Sequence, residues 1–151
     1  WEIFGFRNLA NSIGVAHQSN GQGGVLSRSW NRVFANFVFA RGNFAIGFKP
    51  WIRLSENPDT DDNPDITAYM GHYELRAGYR WNDQVFSLMS RNNLESGFDK
   101  GAVEAGWSFP LWKYPYLKGY IQYFYGYGES LIDYDQRVNR IGIGISLTDW
   151  L

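Results

Sequence analysis

The stretch Phe44-Ala45-Ile46-Gly47-Phe48-Lys49-Pro50-Trp51-Ile52-Arg53-Leu54 puts large apolar residues at its even positions and Ala, Gly, Lys, Trp and Arg at its odd ones. A period of two sends successive side chains to opposite faces of a strand. The same alternation recurs outward from it. Between Thr67 and Trp81 the odd face carries Tyr69, Tyr73, Leu75, Ala77, Tyr79 and Trp81, and the even face carries His72, Glu74, Arg76 and Arg80. Val103, Ala105, Trp107, Phe109 and Leu111 oppose Glu104, Gly106 and Ser108. The last run sets Ile141, Ile143, Ile145 and Leu147 against Arg140, Gly142, Gly144, Ser146 and Thr148. No sustained 3.6-residue period is present. These runs predict eight strands near 9–19, 29–40, 44–55, 67–81, 84–93, 101–111, 116–128 and 136–150.

The connections alternate between long (near 20–28, 56–66, 94–100 and 129–135) and short (near 41–43, 82–83 and 112–115). Outer-membrane barrels show this asymmetry, with Trp and Tyr girdles at the interfaces. Trp81, Trp112 and Trp150 all fall near the short-turn end. A soluble sandwich also alternates, but glycine-rich polar faces and tyrosine-heavy apolar faces favour an antiparallel transmembrane β-barrel. The polar face includes Lys49, Trp51, Arg53, Glu74, Arg76, Arg80 and Lys118, a large volume for an eight-stranded interior. A wider barrel with strands missing from the front is expected.

Composition narrows the function classes. Phe, Tyr and Trp number 11, 10 and 7 in 151 residues, which fits one aromatic-rich domain spanning 1–151. A formal net charge of -1 supplies no basic footprint for nucleic acid. Zero cysteines remove disulfides, thiolate metal sites and cysteine nucleophiles. No apolar run approaches the ~18 residues of a transmembrane helix. The chain opens at Trp1 with no basic n-region or cleavage site, so processed or N-terminally incomplete material is expected.

Two strands break the apolar-face rule together. Ile13 and Val15 lead into His17 and Ser19, while Asn31 shares the parity of Val33, Ala35, Phe37 and Phe39. Polar groups on a lipid-facing surface are costly and point to function. A hairpin symmetric about residue 24 sets His17 opposite Asn31, with Cβ atoms about 4.5–5.5 Å apart. A hydroxyl, an imidazole and an amide then share one patch, the arrangement of nucleophile, base and base-orienting group used in acyl transfer. An amide suits that place, because a carboxylate facing hydrocarbon carries a heavy desolvation penalty. A polar rim at the water interface would present the same residue types.

The elements His17-Gln18-Ser19-Asn20-Gly21 and Ser27-Arg28-Ser29-Trp30-Asn31-Arg32 resemble the outer membrane phospholipase A family of Gram-negative bacteria. Further matches are Lys49-Pro50-Trp51, the run from Thr60 to Thr67 with Tyr69-Met70-Gly71, and Tyr127-Gly128-Glu129 continuing to Tyr134. The resemblance implies a calcium-dependent phospholipase A acting on membrane phospholipids from the outside of a twelve-stranded outer-membrane barrel and activated as a homodimer. It implies Ser19 as nucleophile, His17 as base and Asn31 as orienter. It also implies calcium held near the Ser27 hydroxyl and the Gln22 carbonyl with waters completing the shell, and Asp61 and Asp62 as contributors to a second calcium site. Family members often carry Arg at the Gln22 position, and an Asp serving a second calcium at the Gly24 position. One calcium ligand of the family's active dimer lies on an upstream strand not found in these residues.

The acidic loop does not fit a helix-loop-helix calcium motif by itself, since Pro64 replaces the required Gly and Met70 occupies the final Glu position. His72 reads as a lumen hydrogen-bonding residue. The alternatives are a non-catalytic pore or structural barrel and a soluble carbohydrate-binding sandwich.

Overall fold

A computed structural model describes residues 1–111 and 114–147. They form one antiparallel sheet in sequence order: β1 (Glu2–Ile3), β2 (Phe6–Ser19), β3 (Ser29–Arg41), β4 (Phe44–Leu54), β5 (Tyr73–Trp81), β6 (Gln84–Asn92), β7 (Gly101–Leu111), β8 (Tyr114–Gly126) and β9 (Val138–Ser146). The ninth strand, absent from the expectation, is β1, a two-residue segment that folds back on Arg7 and Phe6. Among the described residues β1 and β9 do not pair, so the sheet is curved but open.

The outward face cannot belong to a water-soluble sandwich. Ile13 is 80% exposed and Ile143 83%, in rows with Val15, Ile52, Ile141 and Ile145. Such a continuous apolar surface is an interaction liability in water and a solvation match in lipid. Among the described residues no second sheet covers it. Trp81 is exposed at the short-turn end, as a girdle residue should be; Trp112 and Trp150 lie outside the described residues.

The inner face is polar but packed. Arg32 lies over the rings of Trp30 and Trp51, at 4.1 and 5.4 Å from their centroids. Lys49 sits 4.5 Å from the centre of Phe34, and Arg76 Nε donates to Glu74 Oε1 at 2.6 Å. Cation–π contact lets long charged side chains fill this interior without wide separation of charge. A cleft of about 690 Å³ remains, lined by Asn36, Arg76, Met89, Glu104 and Tyr120 among others.

β2 carries one irregularity, a bulge between Asn8 and Ala10. The extra residue brings Asn8 and Asn11 to the same outer face, where their amides bond reciprocally at 2.9 and 2.7 Å. Two polar side chains facing lipid thereby satisfy each other.

The expected strand at 67–81 is only half a strand. Ile66–Met70 is a short helix, α1, and β5 begins at Tyr73. The alternation at Tyr69 and Tyr73 imitates a strand, but Ile66 and Met70 stand four residues apart, one helical turn, and both are buried. Gly71 ends the turn at φ 74°. Tyr69 consequently packs on Tyr127 and Tyr134, with ring centroids at 5.1 and 5.8 Å, instead of facing outward.

A Cβ at Gly71 would collide with the backbone carbonyl of Asn92, at a φ that L-residues rarely adopt. Gly71→Ala should therefore cost about 1–3 kcal/mol from backbone strain alone, with the collision adding to it. A lowered unfolding midpoint in detergent, followed by tryptophan fluorescence, checks this.

Candidate active site

The β2–β3 ladder runs in unbroken register from Ala10↔Val38 to Ser19↔Ser29, and it pairs His17 with Asn31. Both lie on the outward face, below them the cross-strand pair Val15 and Val33. His17 Nδ1 and Asn31 Oδ1 are 2.8 Å apart. An amide oxygen only accepts, so the ring proton sits on Nδ1 and the Nε2 lone pair is left for a substrate-side proton. On its other side the Asn31 amide donates from Nδ2 to Glu56 Oε1 at 3.2 Å.

Ser19 closes β2, two residues beyond His17 and on the same exposed face. Among the described residues its hydroxyl makes no hydrogen bond to the ring. In free enzymes a nucleophile–base contact is often loose and tightens only with substrate. The geometry thus holds imidazole and amide together, with the hydroxyl on the same face.

The loop that follows is tied by Asn20. Its side-chain oxygen accepts from the backbone N–H of Gln22 (3.2 Å) and of Arg28 (3.1 Å), and its Nδ2 donates to the Leu26 carbonyl at 2.7 Å. Three backbone groups are satisfied by one residue, so the chain leaving Ser19 returns at Ser29 with little freedom. The 3₁₀ turn Gly24–Leu26 forms the tip.

Of the four expected metal-binding residues, Ser27 and Asp62 come together through a hydrogen bond from the Ser27 hydroxyl to the Asp62 carboxylate. Gln22 stands in the same loop, exposed. Asp61 turns the other way. Both of its oxygens accept from Arg53 Nη2, at 2.7 and 2.8 Å, and one also takes the Asn63 N–H. No group of three His, Asp or Glu converges among the described residues. A hydroxyl and a carboxylate at one point are nevertheless hard oxygen donors of the kind calcium takes.

Underneath, a buried cluster of Trp30, Trp51, Ile66, Met70 and Tyr134 fixes the loops at this end. Trp51 Nε1 donates to the Gly71 carbonyl at 2.9 Å, and Asn63, fully buried, accepts the Ser29 N–H at 2.9 Å. The Tyr134 hydroxyl bonds to Asp65. Burial first, and then that hydrogen bond, hold its phenol proton well above the usual tyrosine range. His72, expected in the lumen, occupies the joint between α1 and β5, half-exposed, with Nε2 3.7 Å from Glu95 Oε1. Sequence reasoning passed over Asn20, Glu56 and Asn63 as site-shaping residues. Asn20 and Asn63 lie within the quoted motifs, whereas Glu56 carries no local signal.

The family model for phospholipase A1 matches residues 1–147. The chain belongs to the phospholipase A1 family. It is similar to the phospholipase A1 of Escherichia coli strain K12, 43% identical over 137 residues that make up 91% of this chain and 45% of that protein. A putative phospholipase A1 of Neisseria meningitidis is 42% identical over 149 residues, 97% of this chain and 38% of that one. The chain thus spans less than half the length of these curated relatives. Among solved structures, outer membrane phospholipase A from E. coli superposes with a TM-score of 0.90 at 38% identity, over all of this chain and 60% of that one. The dimer of Salmonella typhi outer membrane phospholipase with bound calcium gives 0.89 at 38% identity, over 99% and 56%. An active-site asparagine-to-alanine mutant of the E. coli protein matches at 0.89 and 38%, over 99% and 55%. The open sheet is accordingly the β-barrel fold of this family, and its place is the bacterial outer membrane.

Asn20→Ala should open the 20–28 loop without unfolding the sheet. Losing about 1.4 kcal/mol of local stability corresponds to roughly tenfold faster proteolytic cleavage within that loop, measured by limited digestion in detergent.

Proposed function

We propose that this chain carries the hydrolytic centre of a calcium-dependent phospholipase A, with Ser19, His17 and Asn31 as nucleophile, base and orienter. The observation that carries the reading is the 2.8 Å hydrogen bond between His17 and Asn31 on the lipid-facing surface, beside an exposed serine hydroxyl. The active-site asparagine of the E. coli protein supports it.

Ser19 Oγ attacks the ester carbonyl carbon of a membrane phospholipid while His17 Nε2 takes the hydroxyl proton. Asn31 accepts from Nδ1–H and stabilises the imidazolium as it forms. The ring then gives its proton to the departing alcohol oxygen, releasing a lysophospholipid and leaving the acyl group on Ser19. A water molecule, deprotonated by His17, cleaves that ester, restores the serine and releases a fatty acid. The barrel wall delivers these groups at ester depth, so the substrate need not leave the bilayer.

Ser27, Asp62 and the carbonyl of Gln22 would hold the calcium. When bound, the ion supplies positive charge to offset the negative charge developing on the carbonyl oxygen. Asp61 is spent on Arg53 and is left out of this set. The calcium-bound dimer of the Salmonella protein supports both the ion and a second copy of the chain as the functional partner.

Ser19→Ala should abolish phospholipid hydrolysis in detergent while leaving the folded barrel intact; retained turnover overturns the serine. His17→Ala should lose about 10³-fold or more in kcat, and Asn31→Ala less, because the base survives while its orientation is lost. EDTA should silence activity reversibly, and undiminished hydrolysis in chelator overturns the calcium.

A further inference from the structure

We infer that Glu56 is a positioning residue of this site: it fixes the Asn31 amide so that its oxygen faces His17, and it supplies at one remove the negative charge that the triad lacks. The inference rests on the serine-hydrolase reading above.

The two ends of an amide differ only in hydrogen bonding, so an isolated asparagine can present either end to a histidine. Here the ambiguity is removed from behind. A carboxylate only accepts, so Glu56 Oε1 takes the Nδ2 donor, at 3.2 Å, and the amide oxygen must turn to the ring, 2.8 Å from Nδ1. The three groups come from successive elements: His17 on β2, Asn31 on β3, and Glu56 two residues after Leu54, which is the β4 partner of Asn31. They form a row along the loop end of the sheet's outer face.

The position of the charge also follows from the fold. A carboxylate at position 31 would sit on the ladder itself, facing lipid. Glu56 lies past the end of β4, half-buried in the 55–65 loop and off the lipid-facing ladder. A charged acceptor draws a donor's proton more strongly than a neutral one, and successive bonds polarise each other. Withdrawing Nδ2–H toward Glu56 makes the amide oxygen a better acceptor for the imidazolium. Among the described residues Glu56 forms no ion pair, so its charge is not spent elsewhere.

The test is a swap, run on the protein in detergent with calcium, using a short-chain phospholipid ester and Ser19→Ala as the inactive reference. Glu56→Ala should lower kcat about tenfold with KM little changed, the pattern of a group acting only as the transition state forms. Glu56→Gln, whose side-chain oxygen still accepts from Asn31 but carries no charge, should recover only part of that loss, the remainder reporting the contribution of the charge. Asn31→Asp alone sets two carboxylates against each other and should be strongly impaired. Adding Glu56→Gln to it supplies an amide donor to the introduced aspartate and should raise kcat above that of Asn31→Asp. A residue that merely braces the loop would show no such reversal. Unchanged kcat in Glu56→Ala, or a double variant no better than Asn31→Asp, overturns the role of Glu56 while Ser19→Ala stays inactive. Turnover by Ser19→Ala instead overturns the catalytic reading itself.

Discussion

Everything at the site depends on the register of one hairpin. From Ala10↔Val38 to Ser19↔Ser29 the β2–β3 ladder runs without interruption, and a slip of a single residue would turn His17 to the inside and separate it from Asn31. The lipid environment enforces that register, since the same slip would carry Ile13 and Val15 into a polar interior. The bulge lies below this stretch, at Asn8, where a local shift does not reach the pair. Above it, Asn20 and Asn63 bind the backbone at both ends of the loop, and the Trp30–Trp51 cluster holds β3 from within.

Electrostatics explains the choice of residue types. A base that becomes an imidazolium benefits from a nearby anion, and a surface in contact with hydrocarbon rejects one. On the proposed reading, an amide on the wall backed by a carboxylate in the adjoining loop resolves both demands. The inner face solves a related problem differently, spreading Arg32 and Lys49 over aromatic rings and pairing Arg76 with Glu74. In each case the charge is kept, and the geometry around it makes it tolerable.

The pairing of His17 with Asn31 was legible in the sequence because a two-residue period and a symmetric hairpin leave little room for other solutions. The long and short connections were legible for the same reason. The helix at Ile66–Met70 was not, since the tyrosines around it keep strand parity, and only burial of Ile66 and Met70 against Trp30 and Trp51 decides the matter. Asp61 and Asp62 are chemically identical neighbours. What separates them is Arg53, whose reach toward Asp61 depends on how the 55–65 loop folds back over β4. Glu56 was hidden for the same reason, because its partner is 25 residues away in sequence and its loop has no repeat to read.

Ser19 is the last residue of its strand, and that placement has a consequence for selectivity. On the proposed reading the site lies on an open outer wall, where the shape of a lipid is not gauged by an enclosing pocket among the described residues. What it has is height. Each residue along a strand advances about 3.3 Å, so moving the hydroxyl by two positions would shift it by roughly 7 Å along the strand, comparable to the step from ester linkage to headgroup. Discrimination among bonds would then be, on that same reading, a matter of altitude above the bilayer midplane, with the strand serving as the graduated scale.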